Sequence, residues 1–380
     1  MTMTLTGIIP TLYAALNIVS RELIGFIPAV RIDAEVSQAA VNQTVRSPIG
    51  VAGALEDITP GAVPAASGGT TVTYTDVVMT KAKAAPILWS GEEQLAVGPT
   101  GVYNKILADQ MVDGLRKIAN AIELDLFLAA KTSASRAYGT AGTTPFGTAA
   151  DLSDIANLRK ILEDNGSPMG DLQFVGNSST FVNLRGKQSV LFKVNEAGSP
   201  DMLRNGMTDR LEGFALRSTG QAQLHTKGTG TLYVTNGALA VGATAIPVQT
   251  GSGTIVAGDI VTLGADTNKY VVNADLAASS VTIGNPGLLV LENSGATVTV
   301  GNNYTGNFGF NRDAIILATR VPAKPKGGDS ADDITTITDP VSGLTFEVAI
   351  YRQYMQVKIE IRVVWGTKVV QPQHVATLLG

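Results

Sequence analysis

Residues 102–131 read VYNKILADQMVDGLRKIANAIELDLFLAAK. Val102, Ile106, Leu115, Ile118, Ile122, Leu126 and Ala129 recur at helical spacing, with Met111 between, and the opposite face carries Asp109, Asp113, Lys117, Asn120 and Lys131. A repeat near 3.6 residues lets one stripe of a helix be buried while the other is solvated. No proline interrupts the run. The spacing predicts a single helix of roughly thirty residues, about 45 Å long, which is a strut rather than an ordinary globular helix. Heptads are not sustained long enough for a coiled coil.

On the N-terminal side, residues 1–50 form an apolar, lightly charged arm. Pro10 is placed to open a short helix through Leu12, Leu16 and Val19, and Phe26 to Pro48 reads as extended. Such an arm either packs on its own domain or lies across a neighbour. Residues 51–95 carry two turn-rich punctuations, Thr59-Pro60-Gly61 and Ser67-Gly68-Gly69. Thr71 to Met79 then alternates as a strand does, with Lys81 and Lys83 at one parity. Together these predict a long two-stranded excursion. A lone hairpin is marginal in water, so it is expected to lie on something; the alternative is an ordinary sheet edge.

On the C-terminal side, Ile155, Leu158 and Leu162 line a second helix over 151–166, with Asp151 or Ser153 as cap and Gly166 as stop. A buried strand, Leu172 to Val175, precedes a short helix capped within Asn177-Ser178-Ser179. From Lys227 to Asn303 helical period vanishes. Six short apolar runs replace it: Thr231–Thr235, Ala245–Gln249, Asp259–Leu263, Tyr270–Asn273, Ser280–Ile283 and Val298–Val300. Turn residues separate them, which predicts a self-contained β-barrel or sandwich inserted in a mixed domain. Beyond it, Ala314–Thr319 is an apolar strand and Ala323–Asp333 a mobile loop. The tail puts Val357, Ile359, Ile361 and Val363 on one face of a long strand and Lys358, Glu360 and Arg362 on the other, closing at Trp365-Gly366 and Pro372.

Composition narrows the function. Of 380 residues, 44% are hydrophobic but only 16% charged, against about 25% in ordinary domains. A membrane protein, a β-rich surface protein and a subunit covered by neighbours all fit this balance. The best candidate span, Gly7–Val30, is broken by Arg21 and Glu22, short of the roughly 20 apolar residues a spanning helix needs. No basic residue precedes it, so it does not read as a signal peptide. There is no cysteine, which excludes disulfides, thiolate metal sites and a cysteine nucleophile. Net charge is −4 with scattered Lys and Arg, which argues against sequence-specific nucleic-acid recognition.

Chemistry-bearing patterns are equally sparse. His225 and His374 lie in different regions with no acidic sequence neighbour to suggest a relay. No Gly-x-Ser-x-Gly elbow, phosphate loop or dinucleotide fingerprint occurs; Gly186-Lys187 lacks both the upstream Gly and the following Ser or Thr. Asp329, Asp332 and Asp333 lack calcium-loop spacing. Glu92 and Glu93, read as strand residues, point apart. No catalytic residue, cofactor or metal ligand is therefore expected, and the chain reads as a non-enzyme.

In chain order these features resemble the tailed-bacteriophage major capsid protein, closest to the short-tailed-phage coat-protein type with an inserted β-barrel domain. Arg116-Lys117-Ile118-Ala119-Asn120-Ala121-Ile122-Glu123-Leu124 is similar to that family's spine-helix sequence. Val364-Trp365-Gly366-Thr367-Lys368-Val369-Val370-Gln371-Pro372 resembles its closing strand with an aromatic-Gly turn. Val241 through Tyr270 is similar to β-modules of phage structural proteins. The chain is shorter than members of the family, chiefly in the insert.

The resemblance implies an α+β fold: N-terminal arm (1–50), extended β-hairpin loop (51–95), spine helix of the peripheral domain (96–136), axial domain (137–225 and 304–350), inserted all-β domain (226–303) and a C-terminal strand returning to the peripheral domain (351–380). It implies self-assembly through pentamers and hexamers into an icosahedral shell around double-stranded DNA, contacted non-specifically. It further implies a separate scaffolding protein, a portal protein, a decoration protein as an optional partner, no membrane, and assembly in the host bacterial cytoplasm into the virion. Glu56, Asp57, Lys81 and Lys83 are the residues expected at contacts between copies. The alternatives are a cargo-enclosing nanocompartment subunit and a tail or adhesin β-protein.

Overall fold

The computed structural model describes residues 5–19, 24–49, 60, 73–97, 103–188, 210–340 and 342–380. The chain begins with α1 (Leu5–Val19), then β1 (Arg31–Ala39), β2 (Thr44–Ile49), β3 (Thr73–Val78), β4 (Lys81–Ser90), α2 (Gly91–Val97) and the long α3 (Tyr103–Ser133). It continues through β5 (Arg136–Tyr138), α4 (Ser153–Asp164), β6 (Leu172–Gly176), α5 (Ser178–Lys187), β7 (Arg210–Leu211), β8 (Phe214–Ser218) and β9 (Leu224–His225). Six strands follow: β10 (Tyr233–Thr235), β11 (Ala245–Gln249), β12 (Ile260–Leu263), β13 (Lys269–Ala277), β14 (Ser280–Ile283) and β15 (Thr297–Val300). The last are β16 (Tyr304–Asn311), β17 (Ile315–Pro322), β18 (Asp333–Thr338), β19 (Thr345–Gln353), β20 (Gln356–Val369) and β21 (Val375–Leu379). The fold is mixed α+β.

The α3 stripe is buried at Leu107, Met111, Leu115, Ile118, Ile122 and Leu126. It lies across a six-stranded sheet ordered β1-β17-β20-β19-β18, with β4 also paired to β20. Ile359, Ile361, Val363 and Trp365 of β20 face the helix side and share its core. The arm helix packs here too: Leu12, Leu16 and Val19 are buried in the same cluster, so α1 docks on its own chain. It starts at Leu5, ahead of Pro10, which lies inside the helix.

A second sheet runs β5-β21-β16-β6-β8-β7, with β9 on β16. Its α4 side is filled by Ile155, Leu158, Leu162, Phe174 and Phe214. The strand β13 pairs with β5 at Lys269–Ala137 and Tyr270–Arg136, which joins this sheet to the insert. The six runs expected as strands in the insert are all strands. They close on themselves in the order β12-β15-β10-β11-β14-β13, because β12 also pairs β13. Closure removes both sheet edges, and the barrel carries its own core of Val248, Val261, Leu263, Tyr270, Val281 and Val298.

Four expectations need correction. The two-stranded excursion is built from β2 and β3, paired from Thr44–Val78 to Ile49–Thr73, so one of its strands comes from the stretch read as arm. Lys81–Ser90 is not part of it; β4 pairs with β20 over ten positions. Residues 304–350 and 351–380 each divide between the sheets: β16 lies in the second sheet and β20 beside α3, but β17, β18 and β19 join β20, while β21 lies between β16 and β5. Gly366 is no turn, since β20 runs straight through it to Val369. Alternation identifies a strand and its faces, but the partner strand is chosen by packing that a local pattern does not carry.

Candidate functional site

The ribbon of β2 and β3 forms a two-stranded sheet of its own, apart from the two larger sheets. Its alternation sorts the side chains. Val45, Ser47, Thr75 and Val77 face inward, while Arg46, Pro48, Tyr74, Asp76 and Val78 face outward. Val77 and Met79, with Val45, pack on Ala39, Ile316, Ala318 and Val364. Met79 N–H donates to the Gln43 carbonyl at 2.9 Å, Thr80 N–H to Trp365 at 3.0 Å, and Lys368 Nζ to the Asp76 carbonyl at 2.9 Å. The ribbon crosses directly over Gly366: a Cβ there would lie 2.0 Å from the Val78 carbonyl oxygen. The ribbon is thus rooted on its own sheet and does not stand alone in water.

Its outer face carries a compact polar-aromatic set. Arg46 Nε meets Asp76 Oδ1 at 3.2 Å and the guanidinium sits 5.7 Å from the Tyr74 ring centroid. Tyr74 is 58% exposed. Sequence reasoning missed this face. Its signal was the parity of Tyr74, Asp76 and Val78, which becomes a surface only once Thr44–Ile49 is known as the partner.

Of the four residues expected at contacts, Glu56 and Asp57 lie outside the described residues. Lys81 Nζ is 2.5 Å from Asp125 Oδ1 on α3, and Trp365 Nε1 donates to Asp125 Oδ2 at 2.9 Å, so Lys81 is tied within the chain. Lys83 is exposed on the same strand, at the rim of a groove of about 630 Å³ between β4 and α3. The structure therefore does not bring Lys81 and Lys83 onto the ribbon.

Other readings change as well. Gly91–Val97 is a helix, not a strand, and Ser90 and Glu93 cap it reciprocally: Glu93 Oε2 accepts the Ser90 N–H at 2.8 Å and Ser90 Oγ accepts the Glu93 N–H at 3.2 Å. The Ser90 N–H and hydroxyl, both donating to Oε2, hold the Glu93 carboxyl below its usual range. His225 has an acidic partner supplied by the barrel, Asp259 Oδ1 at 2.8 Å, and both are buried. Asp259 also accepts the Gly228 and Val256 N–H groups. The pair thus ties the root of the barrel to β9. The 323–333 loop is tied down: Asp329 Oδ2 accepts from Tyr351 at 2.5 Å and Arg362 at 3.0 Å, and Lys324 reaches buried Glu347 at 2.8 Å. Asp332 pairs with Arg352 instead. Among the described residues no group of three His, Asp or Glu side chains is arranged to hold a metal ion, and no helix is long and apolar enough to cross a membrane.

No family model and no curated protein sequence matches the chain. Solved structures do match. One, of Mycobacterium phage Che8, is 14% identical with TM-score 0.45, covering 89% of this chain and 85% of that one. Another, the capsid of cyanophage P-SCSP1u, is 9% identical with TM-score 0.47, covering 93% and 87%. A third, a virus-like particle from Pyrococcus furiosus, is 8% identical with TM-score 0.41, covering 97% of each chain. All three are likenesses of shape at low identity.

Proposed function

We propose that the chain is the major capsid protein of a tailed bacteriophage, a non-enzymatic subunit that assembles with its own copies into the icosahedral head shell around double-stranded DNA. One observation carries the reading: a ribbon seated on its own sheet by Val45, Val77 and Met79 presents Arg46, Tyr74 and Asp76 to solvent. Arg and Tyr dominate the energetics of protein contacts. A rooted ribbon offers a neighbour a rigid outer face, so little ordering entropy opposes docking. Each contact is weak by itself, but a subunit repeated around five- and six-fold positions makes many, and their linkage stabilises the closed shell.

In this reading Glu56, Asp57 and Lys83 meet adjacent copies, while Lys81 is engaged by Asp125 of its own chain. A separate scaffolding protein, a portal protein and, where present, a decoration protein are the further partners. DNA is contacted without sequence preference, assembly takes place in the bacterial cytoplasm, and the product is the virion capsid. The closed barrel distinguishes this reading from a nanocompartment subunit, and α3 with its two sheets from a tail or adhesin β-protein.

Electron microscopy of the purified chain, with and without a co-expressed scaffold, tests it. Closed shells are expected, and a Tyr74→Ala/Asp76→Ala variant is expected to stay folded while assembling at least tenfold less. A strictly monomeric wild type at high concentration that turns over a substrate would overturn the proposal.

A further inference from the structure

Where the barrel meets the second sheet, a cleft of about 820 Å³ opens between the 139–148 loop, one face of α5 and the start of β13. Lys187 on α5 and Lys269 on β13 both line it, together with Thr140, Thr143 and Thr148. Asn183, one turn before Lys187, donates from Nδ2 to the Pro145 carbonyl at 3.1 Å and holds the loop as a wall. Lys269 is half-buried and its Nζ donates to the Gly139 carbonyl. Burial alone pushes its ammonium pKa down, with no opposing carboxylate. Among the described residues neither lysine forms an ion pair. The one acid in the lining is Asp154, whose Oδ2 accepts the Phe146 N–H at 2.7 Å.

Two lysines against one carboxylate leave this concave lining with a net positive charge, which focuses a positive potential into it. The Lys269 ammonium spends one donor on a carbonyl and keeps two more. The volume falls in the range of small-molecule sites and exceeds what a single monatomic anion fills. We infer that this cleft binds a phosphate chain of the triphosphate type, clamped by Lys187 and Lys269 and oriented by the threonine hydroxyls. The inference is independent of the capsid reading. The chain can be inorganic or borne by a nucleotide.

Isothermal titration of the full chain with sodium tripolyphosphate, and in parallel with ATP, at constant ionic strength tests it. Saturable binding of tripolyphosphate is expected; equal or tighter binding of ATP identifies a nucleotide source, and its absence a free polyphosphate. Lys187→Gln, at an exposed position, and Lys269→Met are each expected to weaken binding about tenfold, the loss of one charge-assisted hydrogen bond. The wild type giving no saturable heat, or Lys187→Gln binding as tightly as wild type, overturns the inference. Should Lys269→Met fail to fold, the Lys187→Gln comparison decides alone.

Discussion

A carboxylate in the middle of a buried helix face needs donors, and Glu123 of α3 has them from three sides. It accepts the Phe26 and Ile27 N–H groups at 3.1 and 2.7 Å and the Thr219 hydroxyl at 3.0 Å, so one side chain binds the arm and the loop after β8 to the long helix. Burial nevertheless raises its pKa. The folded state therefore holds this proton more tightly than the unfolded chain. Stability falls as pH rises from the ordinary carboxylate range through the raised value. Glu123→Gln turns an amide donor toward backbone donors and is expected to cost about 1–3 kcal/mol. It should also abolish that fall with pH, as read by urea unfolding at several pH values; an unchanged pH profile counts against the assignment. Two features at this scale were only partly legible. Ser90-x-x-Glu93 has capping-box spacing, a signal that the reading of Glu93 as a strand residue passed over. The His225–Asp259 pair joins residues 34 apart and left no local signal.

At the scale of elements, period alone located α3 and its buried stripe, because a 31-residue helix repeats its pattern many times over. The ribbon was harder. Six-residue strands repeat a two-residue period only three times, and β4 alternates just as β3 does. What separates them is their seat: β4 lies beside β20, while β3 crosses it at Gly366. Replacing Gly366 with Ala puts a methyl group into the Val78 carbonyl. Overpacking of this kind costs about 1–3 kcal/mol. The expected result is early proteolytic cleavage within 44–78 while the far-ultraviolet circular dichroism of the rest is retained. Resistance equal to wild type would show that the ribbon does not depend on this crossing.

At the scale of the molecule, the closed barrel has its own core, yet it is stitched to the remainder. The stitches are the Asp259 carboxylate on His225, the Tyr304 hydroxyl on the Gly258 carbonyl at 2.6 Å, Arg136 NH1 on Asn268 Oδ1 at 3.5 Å, and the β13–β5 pairing. The two chain crossings lie together, with Lys227 N–H donating to Asn303 Oδ1 at 2.9 Å. Replacing 228–302 by a short Gly/Ser linker should therefore leave a folded remainder. Losing about three side-chain hydrogen bonds at roughly 1 kcal/mol each lowers its melting temperature by about 5 °C. A remainder without a cooperative thermal transition would show that the barrel is integral to the core.

The sequence by itself determined the long helix and its buried stripe, the two faces of the long tail strand, and that the stretch from Lys227 to Asn303 is all-β. These follow from the side-chain period, which each segment carries within itself. Only the tertiary structure decided which strand lies beside which. The pairing of β2 with β3, the seating of β4 on β20, the division of β17–β19 and β21 between the two sheets, and the meeting of Lys187 with Lys269 across a cleft were all settled there. Strand partners are selected by the shape and burial of surfaces distant in the chain, and that information is not held by any one segment.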